Sequence, residues 1–259
     1  MKEKSLGFIG GGRVTRFILT GLGRRGGIPK DVVVSDIDEN ALNRLKSKYA
    51  NIETRLNGNE AAAQKDVVFI ALHAPVIPQA LPAVKDRLKK DAVVISLAPK
   101  VPISKLSELL GGFERIVRMI PNAPSFVNAG YNPVAFSNTI SHDEKREILE
   151  MLSLLGECPE VNENDLEAYA VTTAMGPTYL WFQLYELVEI AKSFGLSHEK
   201  ALEGVSKMAA GAARTMMESG LSPEEVIDLI PARPFEDEEA NIKKIYRTKL
   251  EGIFKKLKG

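Results

Sequence analysis

The stretch Leu6-Gly7-Phe8-Ile9-Gly10-Gly11-Gly12-Arg13-Val14-Thr15 decides the fold of this chain. Its first four residues form a short, mostly apolar run, which is typical of a buried parallel strand. Three glycines then turn the chain, and apolar residues recur at helical spacing: Val14, Phe17, Ile18 and Leu22. The pattern predicts a strand, a glycine turn and a helix, the arrangement that begins a dinucleotide-binding unit.

The glycines of this turn have distinct predicted parts in holding a dinucleotide. Gly10 permits the tight turn, and Gly12 has no Cβ to keep a pyrophosphate from the backbone. The helix N-terminus that follows offers free N–H groups and a partial positive charge to that anion. Thr15 stands at the third position of G-x-G-x-x-G, so the fingerprint is incomplete. The alternative is a turn that only lets strand and helix pack closely.

The composition limits the classes of function. The 259 residues are 44% hydrophobic and 26% charged, as in a globular protein of one large or two smaller domains. The formal net charge is zero, so no global field draws nucleic acid or an anionic membrane. No apolar run approaches the roughly 18 residues of a membrane span. Because Met1-Lys2-Glu3-Lys4 leads straight into a strand, we expect no signal peptide and a cytoplasmic protein.

The cysteine and histidine content argues against a metal site. Cys158 is the single cysteine, which excludes an internal disulfide and a thiolate metal cluster. His73, His142 and His198 show no metal-ligand spacing with one another or with Cys158. We therefore expect no bound metal.

The second predicted strand, Val32-Val33-Val34, runs into Ser35-Asp36. Asp36 lies near the position where an acidic residue hydrogen-bonds an adenosine ribose 2′-hydroxyl. Its carboxylate repels a 2′-phosphate, and Asp38 and Glu39 add to the repulsion, so the sequence favours NADH over NADPH. The alternative for Asp36 is the N-cap of the following helix.

Further strands and helices alternate through the first part of the chain. The predicted strands are Val67–Ala71, Ala92–Leu97, Ile116–Met119 and Val134–Phe136, and the predicted helices run from Pro78 to Leu88 and from Asp143 to Leu155. Continuous apolar strands separated by helices predict an α/β fold with a doubly wound sheet.

Ligands of such sheets bind beyond the carboxyl ends of the strands. That rule selects His73, Pro99, Lys100 and Asn122, because each follows a strand. The predicted cofactor-binding residues are Gly10, Gly11, Gly12, Arg13, Val14, Asp36, Leu72, His73, Ala98, Pro99 and Asn122.

The pattern becomes entirely helical from about Asn164. Ser197 is predicted to cap a helix from Glu199 to about Ser219, and Ser222-Pro223-Glu224-Glu225 forms a capping box. The last helix is predicted to begin near Glu236. We therefore predict a dinucleotide-binding domain over residues 1–161 and a helical substrate and dimerisation domain over residues 162–259.

Six short motifs follow one another along the chain. They are Gly7-Phe8-Ile9-Gly10-Gly11-Gly12 before a helix, Val117-Arg118-Met119-Ile120-Pro121-Asn122-Ala123-Pro124, Asn128-Ala129-Gly130, Gly176-Pro177-Thr178-Tyr179, Ala209-Ala210-Gly211-Ala212-Ala213 and Met217-Glu218-Ser219-Gly220. In this order they resemble the pyrroline-5-carboxylate reductase family over nearly the whole chain. The Pro-Asn-x-Pro loop is the most specific of them.

The resemblance implies a Rossmann domain and a helical domain that dimerises by interleaving helices, hence a homodimer or a higher homo-oligomer. It implies reduction of the cyclic imine of a pyrroline carboxylate to proline, a step of proline biosynthesis, with NADPH or NADH. A small-molecule substrate follows from that activity.

The chain departs from the family in the substrate region. The family's Ser-Pro-Gly-Gly-Thr-Thr loop appears here as Ile230-Pro231-Ala232-Arg233-Pro234-Phe235-Glu236-Asp237, without a hydroxyl. The family's Lys-Pro after the fourth strand appears as His73-Ala74-Pro75, and its Ala-Gly after the fifth appears as Pro99-Lys100. The cofactor half is therefore expected to be intact, and the substrate half to be altered.

Three residues are predicted to carry the chemistry. His73 and Lys100 follow strands and can feed a proton or a hydrogen bond to the reacting group. Arg233 can grip a carboxylate with two hydrogen bonds. The alternatives are that His73 only borders the pocket, that Lys100 is a solvated loop lysine, and that Arg233 pairs with Glu236 or Asp237.

Two rival functions stay open at this point. One is a β-hydroxyacid dehydrogenase, whose lysine on the first long helix of the second domain is missing here, since Lys192 lies near the helix end. The other is a dinucleotide-binding or sensing protein without turnover.

Overall fold

The computed structural model describes residues 4–259, so the prediction about a signal peptide at Met1-Lys2-Glu3 lies outside the described residues. The chain forms two compact units, Met1–Ala174 with Phe254–Gly259, and Met175–Ile253. The predicted domain boundary after Val161 lies earlier in the chain and stays a prediction.

The strands all belong to the first unit. They are β1 Leu6–Ile9, β2 Val32–Asp36, β3 Glu53–Leu56, β4 Val67–Ile70, β5 Val93–Ser96, β6 Ile116–Met119, β7 Gly130–Tyr131, β8 Val134–Phe136 and β9 Gly156–Glu157. The main sheet has the order β3-β2-β1-β4-β5-β6-β8, and its neighbours are parallel except for the antiparallel pair β6 and β8. Short β7 and β9 pair separately. This order confirms the predicted doubly wound α/β sheet.

Helices cover both faces of the sheet and form the second unit. They are α1 Arg13–Arg24, α2 Glu39–Lys48, α3 Asn59–Ala63, α4 Ile77–Ala80, α5 Ile103–Leu109, α6 His142–Ser153, α7 Leu166–Tyr169, α8 Gly176–Ser193, α9 His198–Glu218, α10 Pro223–Asp228 and α11 Glu239–Lys258. Ser197 caps α9 and Ser222 caps α10, as predicted. A π-helical turn, Ala170–Ala174, follows α7.

The sheet has a hydrophobic core on each face because side chains alternate along its strands. Phe8 of β1 and Phe69 of β4 stack with ring centroids 4.6 Å apart in one core. Ile9 and Ile70, one position further along the same strands, lie in the other core. The glycine turn and the other strand ends are thereby held at one edge of a buried sheet.

One predicted element is wrong, and one strand was not predicted. The region from Pro78 to Leu88 is not one helix but α4 followed by short 3₁₀ turns. Pro82 explains the break, since proline lacks the N–H that a continuous helix needs in its interior. The strand β3 went unpredicted because its sequence, Glu-Thr-Arg-Leu, is polar and mostly exposed, as an edge strand allows.

Candidate functional site

The glycine turn connects β1 to α1 with a geometry that only glycine permits. Gly10 has φ +107°, and a Cβ there would lie 2.5 Å from the carbonyl oxygen of Ala71. Thr15 is fully buried and donates its hydroxyl to the Gly10 carbonyl oxygen at 2.5 Å. Thr15, the residue that departs from the G-x-G-x-x-G fingerprint, therefore stabilises the turn through a buried hydrogen bond.

Gly12 is the N-cap of α1 and faces open space. In the described part of the chain, no side chain caps this helix and no atom lies within 4 Å of an ideal Cβ at Gly12. The first N–H groups of a helix need a partner, and here they are directed to an exposed surface. This cradle, which one methyl group would fill, fits the phosphate groups of a dinucleotide.

Asp36 ends β2 beside the turn. Its Oδ2 accepts the Gly11 N–H at 2.6 Å, and its Oδ1 accepts the Asp38 N–H at 2.9 Å. The helix that follows is capped by Asp38, which accepts the Asn40 N–H at 2.9 Å. The alternative that Asp36 is the N-cap of this helix is therefore wrong. A carboxylate can accept further hydrogen bonds, so Asp36 can still receive a ribose hydroxyl.

A cleft of about 900 Å³ opens over the turn at the carboxyl ends of the strands. It is lined by Gly11, Gly12, Arg13, Val14, Arg16, Asp36, Asp38, Ala41, Arg44, Leu45, Ala71, Leu72, His73, Ala74, Pro75, Leu97, Ala98 and Pro99. Most of the predicted cofactor-binding residues thus meet at one cleft. Gly10 lies behind this surface as the turn residue.

Several lining residues were not predicted. Arg16 and Arg44 line the cleft together with Arg13, so three arginines form a cationic wall. Arg44 also lies 3.7 Å from the Asp38 carboxylate. The signal in the sequence was the helical spacing of Arg13 and Arg16, which places both near the start of α1. Cationic side chains beside a helix N-terminus suit phosphate groups.

Asn122 does not line this cleft. Its side chain is buried, with Nδ2 donating to the Thr173 carbonyl oxygen at 2.7 Å. Its N–H donates to Asn132 Oδ1 at 2.8 Å. The Pro-Asn-x-Pro loop therefore uses this asparagine to hold the π-helical turn after α7.

Lys100 follows the lining residue Pro99 and has an unusual backbone. Its φ is +77°, and its N–H donates to Glu167 Oε1 at 3.0 Å. The same oxygen accepts Arg118 Nη2 at 2.6 Å. The sequence signal for this network was Arg118 itself, a charge inside the apolar strand β6 that requires a buried partner.

His73 is exposed at the cleft and precedes the 3₁₀ turn Ala74–Val76 without capping it through its side chain. Its imidazole is thus accessible from the cleft. This position suits both the proton-donor role and the alternative in which His73 borders the pocket.

Arg233 belongs to the second unit and is held by carboxylates. Its Nη1 lies 2.7 Å from Glu236 Oε1, and its Nη2 lies 2.8 Å from Glu239 Oε1. The hydrogen bond that Arg233 donates to Glu239 raises the pKa of the guanidinium above its ordinary value. Both terminal nitrogens are therefore engaged within the chain. Lys192, the lysine considered for dehydrogenase chemistry, is similarly paired with Glu189 at 2.7 Å.

The second unit exposes many large apolar side chains. On α8, Phe182 is 68% and Tyr185 is 64% exposed, and Phe194 just beyond the helix is 80% exposed. Exposed apolar surface on this scale is typical of an interaction face.

Residues 4–259 contain no group of three or more metal-ligating side chains that could hold an ion. Within the same residues, every helix is too short or too polar to span a bilayer. Burial raises the pKa of the Cys158 thiol to about 11, so this cysteine is protonated at neutral pH.

Two family models match the chain in succession. Residues 5–100 match the model described as NADP oxidoreductase coenzyme F420-dependent, and residues 163–232 match that of pyrroline-5-carboxylate reductase dimerisation. The pyrroline-5-carboxylate reductase of Escherichia coli (strain K12) is 25% identical over 229 residues, covering 88% of this chain and 85% of the relative. That of Corynebacterium melassecola is 26% identical, covering 86% and 83%.

Solved structures agree with the fold. A pyrroline-5-carboxylate reductase from Coxiella burnetii has a TM-score of 0.76 at 28% identity, covering 99% of this chain and 98% of that one. A pyrroline carboxylate reductase from Plasmodium falciparum, solved with NADP bound, has a TM-score of 0.85 at 21% identity, covering 100% and 98%.

The two models occur in the order of a dinucleotide-binding unit and a helical unit, and the relatives cover both. The chain is similar to pyrroline-5-carboxylate reductases over most of its length, and residues 163–232 match their dimerisation model.

Proposed function

We propose that this protein is an NAD(P)H-dependent reductase of a cyclic imine, either 1-pyrroline-5-carboxylate or a related imine or keto substrate. The observation that carries the proposal is the open glycine cradle at the start of α1, in a chain similar to pyrroline-5-carboxylate reductases over 88% of its length. The cradle supports a dinucleotide site, and the family supports the reaction.

The cleft residues divide by the part of the dinucleotide that they would hold. The N–H groups at the start of α1, with Arg13, would bind the pyrophosphate. Asp36 would bind the adenosine ribose. Leu72, His73, Ala98 and Pro99 follow the central strands β4 and β5 and would enclose the nicotinamide. When bound, the cofactor supplies the hydride, and the protein positions the substrate.

The charge at Asp36 supports a preference for NADH. The carboxylate would accept a hydrogen bond from the ribose 2′-hydroxyl, and it would repel the 2′-phosphate of NADPH. Its two internal hydrogen bonds hold it at the edge of the cleft. The arginines of the cleft wall serve phosphate groups that both cofactors share.

The substrate half uses different residues from those of the family pattern. Because Arg233 is bound to Glu236 and Glu239, a substrate carboxylate would have to displace two carboxylates to reach it. Lys100 is exposed, and its ammonium group forms no ion pair with any residue among 4–259. We therefore assign carboxylate binding to Lys100 and proton donation to His73, with Arg233 in a structural role.

The exposed apolar residues of α8 support a homo-oligomer. They lie within residues 163–232, the segment that matches the dimerisation model. Covering Phe182 and Tyr185 with a second copy of the chain would remove apolar surface from water.

Titration and turnover assays together test the function. Fluorescence titration with NADH and NADPH measures binding, and loss of NADH absorbance with 1-pyrroline-5-carboxylate measures reduction. The proposal expects binding and turnover. Tight binding without turnover of any imine or keto acid would exclude the enzyme and leave the sensing protein.

A further inference from the structure

Lys100 has a backbone conformation that its side chain disfavours. Its φ is +77°, whereas the other described non-glycine residues with positive φ among 4–259 are Asn57 and Asn128. Asparagine adopts this region several-fold more often than lysine does, because its short polar side chain can form local hydrogen bonds. A strained residue of this kind persists only where its surroundings hold it, and often where function needs it.

A buried ion network holds the strained residue. The Glu167 carboxylate accepts the Lys100 N–H at 3.0 Å and Arg118 Nη2 at 2.6 Å through one oxygen. Arg118 is only 2% exposed. Burial raises the pKa of Glu167, but the hydrogen bond and charge of Arg118 outweigh it and hold the pKa below its usual range. The acceptor is therefore a carboxylate at neutral pH.

The same guanidinium also fixes the far end of the loop. Arg118 Nη1 lies 3.0 Å from Glu163 Oε1, and that oxygen accepts the N–H of Ile103 at 2.7 Å. The segment from Lys100 to Ile103 is thus bound at both ends to carboxylates that share one arginine. Among residues 4–259, Arg118 Nε has no hydrogen-bond partner, so the network is not an arrangement optimised for stability alone.

We propose that Glu167 and Arg118 are positioning residues that hold Lys100 in its left-handed conformation, so that its ammonium group binds the substrate carboxylate at the edge of the cleft. Lys100 directly follows Pro99, which lines the cleft, and its side chain is exposed. An ammonium is a compact point charge suited to a carboxylate. The ammonium's role rests on the proposed reductase function, whereas the positioning does not.

The positioning is tested by urea unfolding of two Lys100 variants in two backgrounds. In the otherwise unchanged chain, Lys100→Gly should have an unfolding equilibrium constant about fivefold or more below that of Lys100→Ala, because only glycine is unstrained at this φ. Glu167→Ala removes the acceptor of the Lys100 N–H, so the backbone at residue 100 can leave the left-handed region. In that background, the higher stability of the glycine variant over the alanine variant (the glycine advantage) should disappear. An advantage that survives Glu167→Ala would overturn the positioning.

Two further variants keep that test decisive. Glu167→Gln retains the oxygen that accepts the Lys100 N–H, so the glycine advantage should persist. If Glu167→Ala does not fold, because it leaves Arg118 short of a partner, the double change Arg118→Met with Glu167→Leu removes both charges. The advantage should vanish there as well.

Kinetics with 1-pyrroline-5-carboxylate test the ammonium. Lys100→Ala should raise KM about tenfold with kcat nearly unchanged, and Lys100→Arg should restore most of the loss. Adding Glu167→Ala to Lys100→Ala should raise KM no further, because Glu167 acts on KM through Lys100. If Glu167 had only a structural role, the double variant would have a higher KM than Lys100→Ala alone. Absence of turnover in the unchanged protein would refute the proposed function, and the unfolding test would still decide the positioning.

Discussion

Replacing Gly12 with alanine tests the dinucleotide cradle while leaving the fold intact. An ideal Cβ at Gly12 meets no atom within 4 Å, and the residue has an extended backbone with φ −74°. Alanine is a poorer N-cap than glycine by a few tenths to about 1 kcal/mol, and it restricts the unfolded chain by about 0.4–1 kcal/mol. Since these effects oppose each other, we expect the free energy of unfolding to change by less than about 0.5 kcal/mol.

The methyl group of alanine at position 12 would contact the bound dinucleotide. A pyrophosphate held by the first N–H groups of α1 must approach the backbone at Gly12. Hydrogen bonds to charged groups contribute about 1.5–3 kcal/mol each. Losing one of them should raise the Kd for NADH by about 10- to 100-fold.

Gly10→Ala is the matched control. Its Cβ would lie 2.5 Å from a backbone oxygen of Ala71, and its φ of +107° disfavours any side chain. The conformational cost of about 1–2 kcal/mol and the overlap of about 1–3 kcal/mol should together lower stability by about 3 kcal/mol. Gly10→Ala should therefore damage the fold, and Gly12→Ala only binding.

The assay combines urea unfolding of the free protein with fluorescence titration by NADH. An alanine at Gly12 that leaves both stability and Kd unchanged would show that no pyrophosphate lies over the cradle, and the reasoning would fail. A loss of stability in the free protein would instead show that the open space at Gly12 is filled.

Three further predictions follow from single contacts. Asp36→Ser should improve NADPH relative to NADH by at least about tenfold in kcat/KM, since it removes a charged hydrogen bond and a repulsion; an unchanged ratio would exclude Asp36 as the ribose-binding residue. The hydrogen bond from Arg115 lowers the pKa of Glu144 from 4.5 to about 2, so its stabilisation is complete above about pH 5 and is lost as the pH falls toward 2. Discounted for exposure, this loss should be about 1–2 kcal/mol in acid unfolding, and Glu144→Gln, which keeps the helix cap, should flatten it. His73→Ala should lower kcat about 100-fold and leave the Kd for NADH unchanged if His73 donates the proton; the reverse result would make it a pocket wall.

The sequence predicted those parts of the fold in which local pattern and burial agree. The apolar runs of β1, β4 and β5 lie buried on both faces of the sheet, and the glycine turn follows the first of them. Such strands have a strong local signal because both faces must be apolar. The edge strand β3 has no such signal, since its residues remain largely in water.

The cleft was predictable for a topological reason. Parallel strands bring their carboxyl ends to one edge, so the sequence alone predicts that Leu72, His73 and Pro99 lie together. Asn122 follows the same rule, yet its side chain is used internally, by Thr173. Strand order places a residue near an edge, but it does not decide where the side chain forms its bonds.

The sequence by itself determined the dinucleotide turn, the class of fold and the likeness to one family, because each depends on short local motifs and on their order along the chain. Only the tertiary structure decided which charges meet. Arg118 and Glu167 are 49 residues apart, and Lys100 and Glu167 are 67 apart. Their pairing depends on strand order and on the path of the chain after β9, and local propensity carries no information about either. The open space at Gly12 and the left-handed backbone at Lys100 likewise depend on segments that are distant in the chain, so only the tertiary structure shows them.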